Sequence, residues 1–122
     1  MKVLLSIKPE YAEKIMSGEK KYEFRRKIFR RDGITAIVIY ATSPVKKVVG
    51  EFVVSGIIRR DIDTLWNETH PLGGIDKDSF DTYFSGVDTG FAIEVGETTR
   101  YQNPINLCDI HNGPPPQSFA YI

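Results

Sequence analysis

The run Thr35-Ala36-Ile37-Val38-Ile39-Tyr40-Ala41 constrains this chain more than any other stretch. A strand with one wet face alternates apolar and polar residues, whereas this β-branched run offers almost no polar face at all. Such a strand must lie inside a sheet and be covered on both sides. Ser43-Pro44 ends it, and its few residues fall far short of the roughly 18–20 that span a bilayer.

The neighbouring segments supply the rest of a strand-dominated domain. Val3–Lys8 reads as a first strand, and Lys20–Arg26 alternates, with Tyr22 and Phe24 on one side and Lys21, Glu23 and Arg25 on the other. Lys46–Ile58 reads as a long strand in which Gly50 and Gly56 mark bends or bulges. Phe91–Val95 and Arg100–Asn106 read as two more short strands.

Three short helices are expected among them. The first is framed by Pro9 at its start and Gly18 at its left-handed stop, with Tyr11, Ile15, Ala12 and Met16 forming an apolar stripe. Asp61–Thr69 and Asp76–Phe84 each open on an aspartate able to cap the first turn. His70-Pro71-Leu72-Gly73-Gly74 separates them, and Pro114-Pro115-Pro116 leads an extended tail ending in Phe119 and Tyr121. Five or six strands with short connections favour an α+β fold built on a small, partly closed barrel, as one domain over residues 1–122.

Charge is balanced overall and segregated locally. Sixteen lysines and arginines face sixteen aspartates and glutamates, yet Lys20–Arg31 holds seven basic residues against Glu23 alone. Asp61–Glu97 holds nine acids against Lys77 alone. The basic segment suits a polyanion, and the acidic half would repel a wide duplex, so a short or single-stranded ligand fits better. Arg26, Lys27, Arg30 and Arg31 read either as phosphate contacts or as a sheet edge blunted by charge. Cys108 is the one cysteine, a spectator thiol that asks for no oxidising compartment. With no membrane span and no signal-like cleavage site, a soluble cytoplasmic protein without membrane partners is expected.

Several chemistries have no support in the residues. There is no glycine-rich phosphate loop, no tight Cys/His pair for a metal, and no serine–histidine–aspartate set. No metal and no cofactor are expected.

The informative constellation is Gly18-x-Lys20-x-x-Glu23-x-Arg25, directly after the first helix. Alternation puts Glu23 and Arg25 on one strand face, with Lys20 entering from the preceding turn. A carboxylate flanked by cations can accept from the exocyclic amine of a base, while Arg25 offers a planar fork to phosphate and Lys20 a compact charge. Tyr40, Thr42 and Ser43 are expected to bring an aromatic face and hydroxyls to the same mouth. Spacing alone leaves a second reading open, an internal salt-bridge group with Tyr40 in the core.

This constellation resembles the signature of the ASCH domain family within the PUA-like superfamily. Ile39-Tyr40-Ala41-Thr42-Ser43-Pro44, Val49-Gly50-Glu51-Phe52 and the ending Pro115-Pro116-Gln117-Ser118-Phe119-x-Tyr121 resemble the later parts of small stand-alone members in the same order. The resemblance implies a β-barrel with a cleft beside the first helix and an RNA-related role: RNA or nucleotide binding, with transcriptional regulation suggested for some members. Lys8 and Ser118 enter as cleft-border residues through it alone.

Two enzymatic alternatives come from the same resemblance, single-strand ribonuclease and N4-acylcytidine amidohydrolase. If the protein is an enzyme, Lys20 and Glu23 are the catalytic candidates; a ribonuclease would use Lys20 and Arg25 to stabilise phosphorane charge, with Tyr40 or Ser118 nearby. In the deacylating branch a threonine nucleophile follows the lysine by three positions. Here Glu23 occupies that place, so Thr42 or Ser43 would have to substitute for it, or Glu23 would activate a water. The expected site is therefore Lys8, Lys20, Glu23, Arg25, Arg26, Tyr40, Thr42, Ser43 and Ser118.

Overall fold

A computed structural model describes residues 1–122. Its strands are β1 (Lys2–Ile7), β2 (Tyr22–Arg25), β3 (Ala36–Ala41), β4 (Lys47–Asp61), β5 (Thr89–Ile105) and β6 (Ala120–Tyr121). They form one mixed sheet in the order β2-β5-β4-β3-β1-β6. Only β1 and β3 run parallel, which forces a crossover between them. That crossover carries helix α1 (Pro9–Ser17) and β2, and with them the whole charged motif.

Strand β3 sits inside the sheet, and all six of its residues are buried. Ile37, Ile39 and Ala41 join Val3, Leu5, Ile7, Phe52 and Ile93 on one face, where Ala12 and Ile15 of α1 complete the core. Val38 and Tyr40 join Leu4 and Val48 on the other face, beneath Tyr101, Ile105, Leu107 and Ile110. The run without a polar side is thus explained by cover on both of its faces.

The acidic half packs as a separate wall. Helices α2 (Ile62–Thr69) and α3 (Lys77–Tyr83) are inserted between β4 and β5. The Asp61 carboxylate accepts from the Thr64 amide at 3.1 Å, and that of Asp76 from the Ser79 amide at 2.7 Å, the two caps expected from sequence. Phe80 is fully buried and meets Phe24 of β2 edge to face at a centroid distance of 5.3 Å. Leu65, Phe84 and Ala92 complete this cluster.

Two expectations change. Residues 91–95 and 100–106 belong to one strand, β5, whose pairing with β4 continues through register shifts near Gly50 and Gly56. A Cβ at Gly50 would lie 2.5 Å from the Thr99 carbonyl oxygen, so the strands can pass this closely only without a side chain. The expected barrel closure is not made by backbone pairing, because β2 and β6 end the sheet and do not pair with each other. Side chains join these edges instead: the Arg25 guanidinium donates to the Ser118 carbonyl at 2.7 Å, and Phe29 packs edge to face on Phe119 at 6.1 Å. No helix is long and apolar enough to cross a membrane.

Phe80→Ala is expected to lower unfolding free energy by about 3–5 kcal/mol, as large aromatic truncations in cores do. Urea denaturation checks this; a loss below about 1 kcal/mol would show that the helical wall is not anchored through Phe80.

Candidate functional site

Local geometry sets the position of the charged motif. Gly18 ends α1 with φ of 87°, and the chain turns straight into β2. The Lys20 amide donates to the Lys14 carbonyl at 2.9 Å and the Lys21 amide to the Leu72 carbonyl at 2.8 Å, so the turn is bound to both the helix and the opposing wall. Lys20, Glu23 and Arg25 then line one cleft of about 600 Å³, a volume in the range of small-molecule sites. Its other walls are the end of β1 with Lys8 and Tyr11, the helical wall with Ser79, Thr82 and Tyr83, and Gln117 of the tail.

Lys20 is the most unusual residue in the chain. Its residue surface is only 2% exposed, and its amine donates to the Gly73 carbonyl at 2.6 Å. The Tyr11 ring lies 5.1 Å and the Phe24 ring 4.7 Å from the amine, so π-faces stand where water would otherwise solvate the charge. Desolvation lowers its pKa to about 8, against a partial opposing effect from Glu23.

The paired glycines before α3 make this placement possible. Gly74 has φ of 63°, and a Cβ there would fall 2.7 Å from Lys20 Cβ. The chain therefore lies flat along the lysine stem, and both the left-handed backbone and the contact exclude a side chain. No phosphate-loop pattern surrounds Gly73-Gly74, and on sequence alone these residues have no part in the site. A Gly-Gly pair between two capped helices was the available signal.

Glu23 is also buried, at 6% exposure, and desolvation raises its pKa while Lys20 and Arg25 oppose the rise. Its hydrogen bond comes from Arg25, which donates to Oε2 at 3.4 Å. Lys20 comes no closer than 4 Å to either carboxylate oxygen, and Oε1 has no protein partner. Arg25 is more fully engaged, since it also holds the Ser118 carbonyl. The three charges are thus neighbours without being mutually saturated: Lys20 keeps two N–H donors free and Glu23 one acceptor oxygen. A lysine shifted down and a glutamic acid shifted up bring a base and an acid toward neutral pH side by side.

The remaining expected site residues scatter. Lys8 precedes α1 and lines the cleft. Tyr40 points to the opposite face of the sheet and is buried with Leu4, Val38 and Val48, because pleating sends it away from Ile39 and Ala41. Thr42 follows β3, where its carbonyl accepts from the Val45 amide at 3.1 Å, and neither it nor exposed Ser43 lines the cleft. Ser118 contributes its backbone carbonyl to Arg25, while Gln117 provides the tail's side chain at the cleft. Arg26 lies in a neighbouring groove. Aromatic surface at the cleft comes instead from Tyr11 and Tyr83, residues expected in a helix stripe and in the core.

Fold and cleft together define an α+β protein with a charged, helix-flanked pocket at the edge of a six-stranded mixed sheet. The ASCH domain family model matches residues 5–105, and the chain belongs to that family. An ASCH domain-containing ribonuclease of Zymomonas mobilis is 34% identical over 125 residues, an alignment covering 98% of this chain and 82% of that protein. The crystal structure of ASCH from Zymomonas mobilis superposes with a TM-score of 0.90 at 33% identity, covering 99% of this chain and 87% of that one. The N-terminal domain of Staphylothermus marinus McrB, at 16% identity and a TM-score of 0.51, shares the fold over 91% of this chain and 81% of that one.

A pH effect on stability follows from Lys20. Below about pH 8 the folded state carries the full cost of a buried ammonium, about 3 kcal/mol for a shift of this size. Between about 8 and the ordinary 10.5 the folded protein has released that proton and the unfolded chain has not, so stability rises with pH. Lys20→Met is expected to raise the melting temperature at pH 7 and remove this rise; a variant whose pH dependence matches the parent would contradict the assignment.

Proposed function

We propose that this protein binds single-stranded RNA or a nucleotide, holding one base against Lys20 and Glu23 in the cleft, with Arg25 as the phosphate-side cation. The observation that carries the reading is the incomplete hydrogen bonding of Lys20 and Glu23, both buried and both facing the same space. No buried side-chain polar atom in the protein lacks a partner, so the spare hydrogen-bonding capacity of this pair faces the cleft, where a ligand can take it up. A ligand that donates to Glu23 Oε1 and accepts from Lys20 Nζ would complete the set. Between the pyrimidines, cytosine offers an amino group where uracil offers a carbonyl, so an ionised Glu23 favours cytosine over uracil at that position. Tyr11 and Tyr83 supply aromatic surface on which a base can stack.

A second reading, cleavage of single-stranded RNA, is supported by the pKa shifts of the same pair and by the ribonuclease relative. Neutral Lys20 would take a proton from the attacking hydroxyl and protonated Glu23 would give one to the leaving oxygen. Cleavage would then fall as Glu23 loses its proton at the alkaline side and as Lys20 gains one at the acid side, a bell-shaped profile. Binding without cleavage would instead suit a regulatory role.

Calorimetry with cytidine and uridine monophosphates tests the binding reading. The cytidine nucleotide is expected to bind about tenfold more tightly, in line with the value of one well-placed base contact. Glu23→Gln should erase that preference, because an amide can present either a donor or an acceptor, whereas Arg30→Ala should leave it intact. Equal affinities in the parent, or a preference that survives Glu23→Gln, would overturn the reading. Parallel incubation with single-stranded RNA and with N4-acetylcytidine separates binding from the two hydrolytic chemistries.

A further inference from the structure

A second groove, of about 520 Å³, lies beside the cleft and is lined by Arg26, Lys27 and Arg30 together with Phe91, Phe119 and Tyr121. No carboxylate lines it. Arg31 stacks on Tyr121 at 4.6 Å, and Arg59 lies over Phe91 at 5.9 Å, which adds two more cations at its rim. None of these five cations forms an ion pair, although elsewhere on the molecule Lys2, Lys14, Arg60, Lys77 and Arg100 all do. A sheet edge charged only to discourage pairing needs neither a concavity nor aromatic walls.

The groove is also fixed in place. The Tyr121 hydroxyl accepts from the Arg30 and Arg31 amides at 3.1 and 3.2 Å, so the loop carrying the cations is bound to β6. Sequence neighbours line the two: Arg25 lines the cleft and Arg26 the groove, and Gln117 and Phe119 divide in the same way on the tail. The Arg25–Ser118 hydrogen bond stands between them.

We infer that this groove is an extension subsite for single-stranded nucleic acid, which takes the nucleotide next to the one in the cleft, with Arg26, Lys27 and Arg30 on its phosphate and Phe91 or Phe119 beneath its base. Unpaired cations interleaved with aromatic faces are what a flexible polyanion with stackable bases requires. An acidic peptide would use the charges and leave the aromatic walls unexplained. The inference rests on the cleft reading for the neighbouring base, while the groove itself can be tested apart from it.

The experiment compares cytidine monophosphate with oligocytidylates of two to four nucleotides, each titrated at several salt concentrations. The parent should bind the oligomers at least about tenfold more tightly than the mononucleotide, the value of one stacked base. Lys27→Ser/Arg30→Ser, which alters two exposed side chains outside the cleft, should keep the mononucleotide affinity and lose most of this gain. Its salt dependence should fall by roughly 0.7 in logarithmic slope for each phosphate that is no longer neutralised. A length gain and slope unchanged in the double variant, no gain in the parent, or equal affinity for a polyglutamate peptide would each overturn the groove assignment. Oligomers that bind through Lys27 and Arg30 while the mononucleotide does not bind would support the groove and overturn the cleft reading.

Discussion

The amine of Lys20 sits almost out of reach of water, with one carbonyl, two aromatic faces and a carboxylate more than 4 Å away as its surroundings. Much of the local architecture is arranged around holding it there. Gly18 turns the chain so that Lys20 enters beneath α1, Gly74 lies flat along its stem, and Gly73 supplies the acceptor. Phe24 connects the same lysine to the helical wall through Phe80. A hydrophobic residue would fill this space with less free-energy cost, since the buried ammonium is only partly compensated. On the proposed function the amine is kept here for chemistry or recognition, and the open cleft beside it offers a place for either.

Arg25 ties the site to the integrity of the sheet. Because β2 and β6 do not pair, the two edges are joined where this guanidinium meets the Ser118 carbonyl and where Phe29 meets Phe119. The tail is further fixed by the Ser6 hydroxyl, which donates to the Pro116 carbonyl at 2.8 Å. The same guanidinium therefore restrains Glu23, positions the tail that borders the cleft, and separates the cleft from the basic groove. Loss of Arg25 would loosen all three together, so its effect on a ligand cannot be read as a single contact.

Much of this was legible in the sequence wherever a local rule had one solution. A run lacking a polar face had to become a doubly covered strand, and Pro9 with Gly18 had to frame a helix. Asp61 and Asp76 had to cap theirs. The charged motif lies on the turn and strand that its position after Gly18 implies, although Phe24, expected on the other side, lines the cleft beside Glu23 and Arg25. Tyr40 shows where this logic ran out: it lies one residue from core positions of a strand buried on both sides, so apolar pattern could not tell which face held it. The helical wall was recognised as helices, yet its docking over the motif depends on Phe24 meeting Phe80, a long-range contact that neither segment announces. Gly73-Gly74 carried no meaning until Lys20 was seen lying against it. Closure of the sheet through side chains, in place of a backbone ladder, likewise has no local signature.

The central claim is that Lys20 is a desolvated amine facing space that a ligand can enter. Direct titration of its amine by nitrogen-detected nuclear magnetic resonance tests it, with and without cytidine monophosphate. The account predicts a midpoint near the lowered value of about 8, and a resonance that shifts when the nucleotide is added. A midpoint at the ordinary 10.5, or a signal indifferent to the nucleotide, would contradict it.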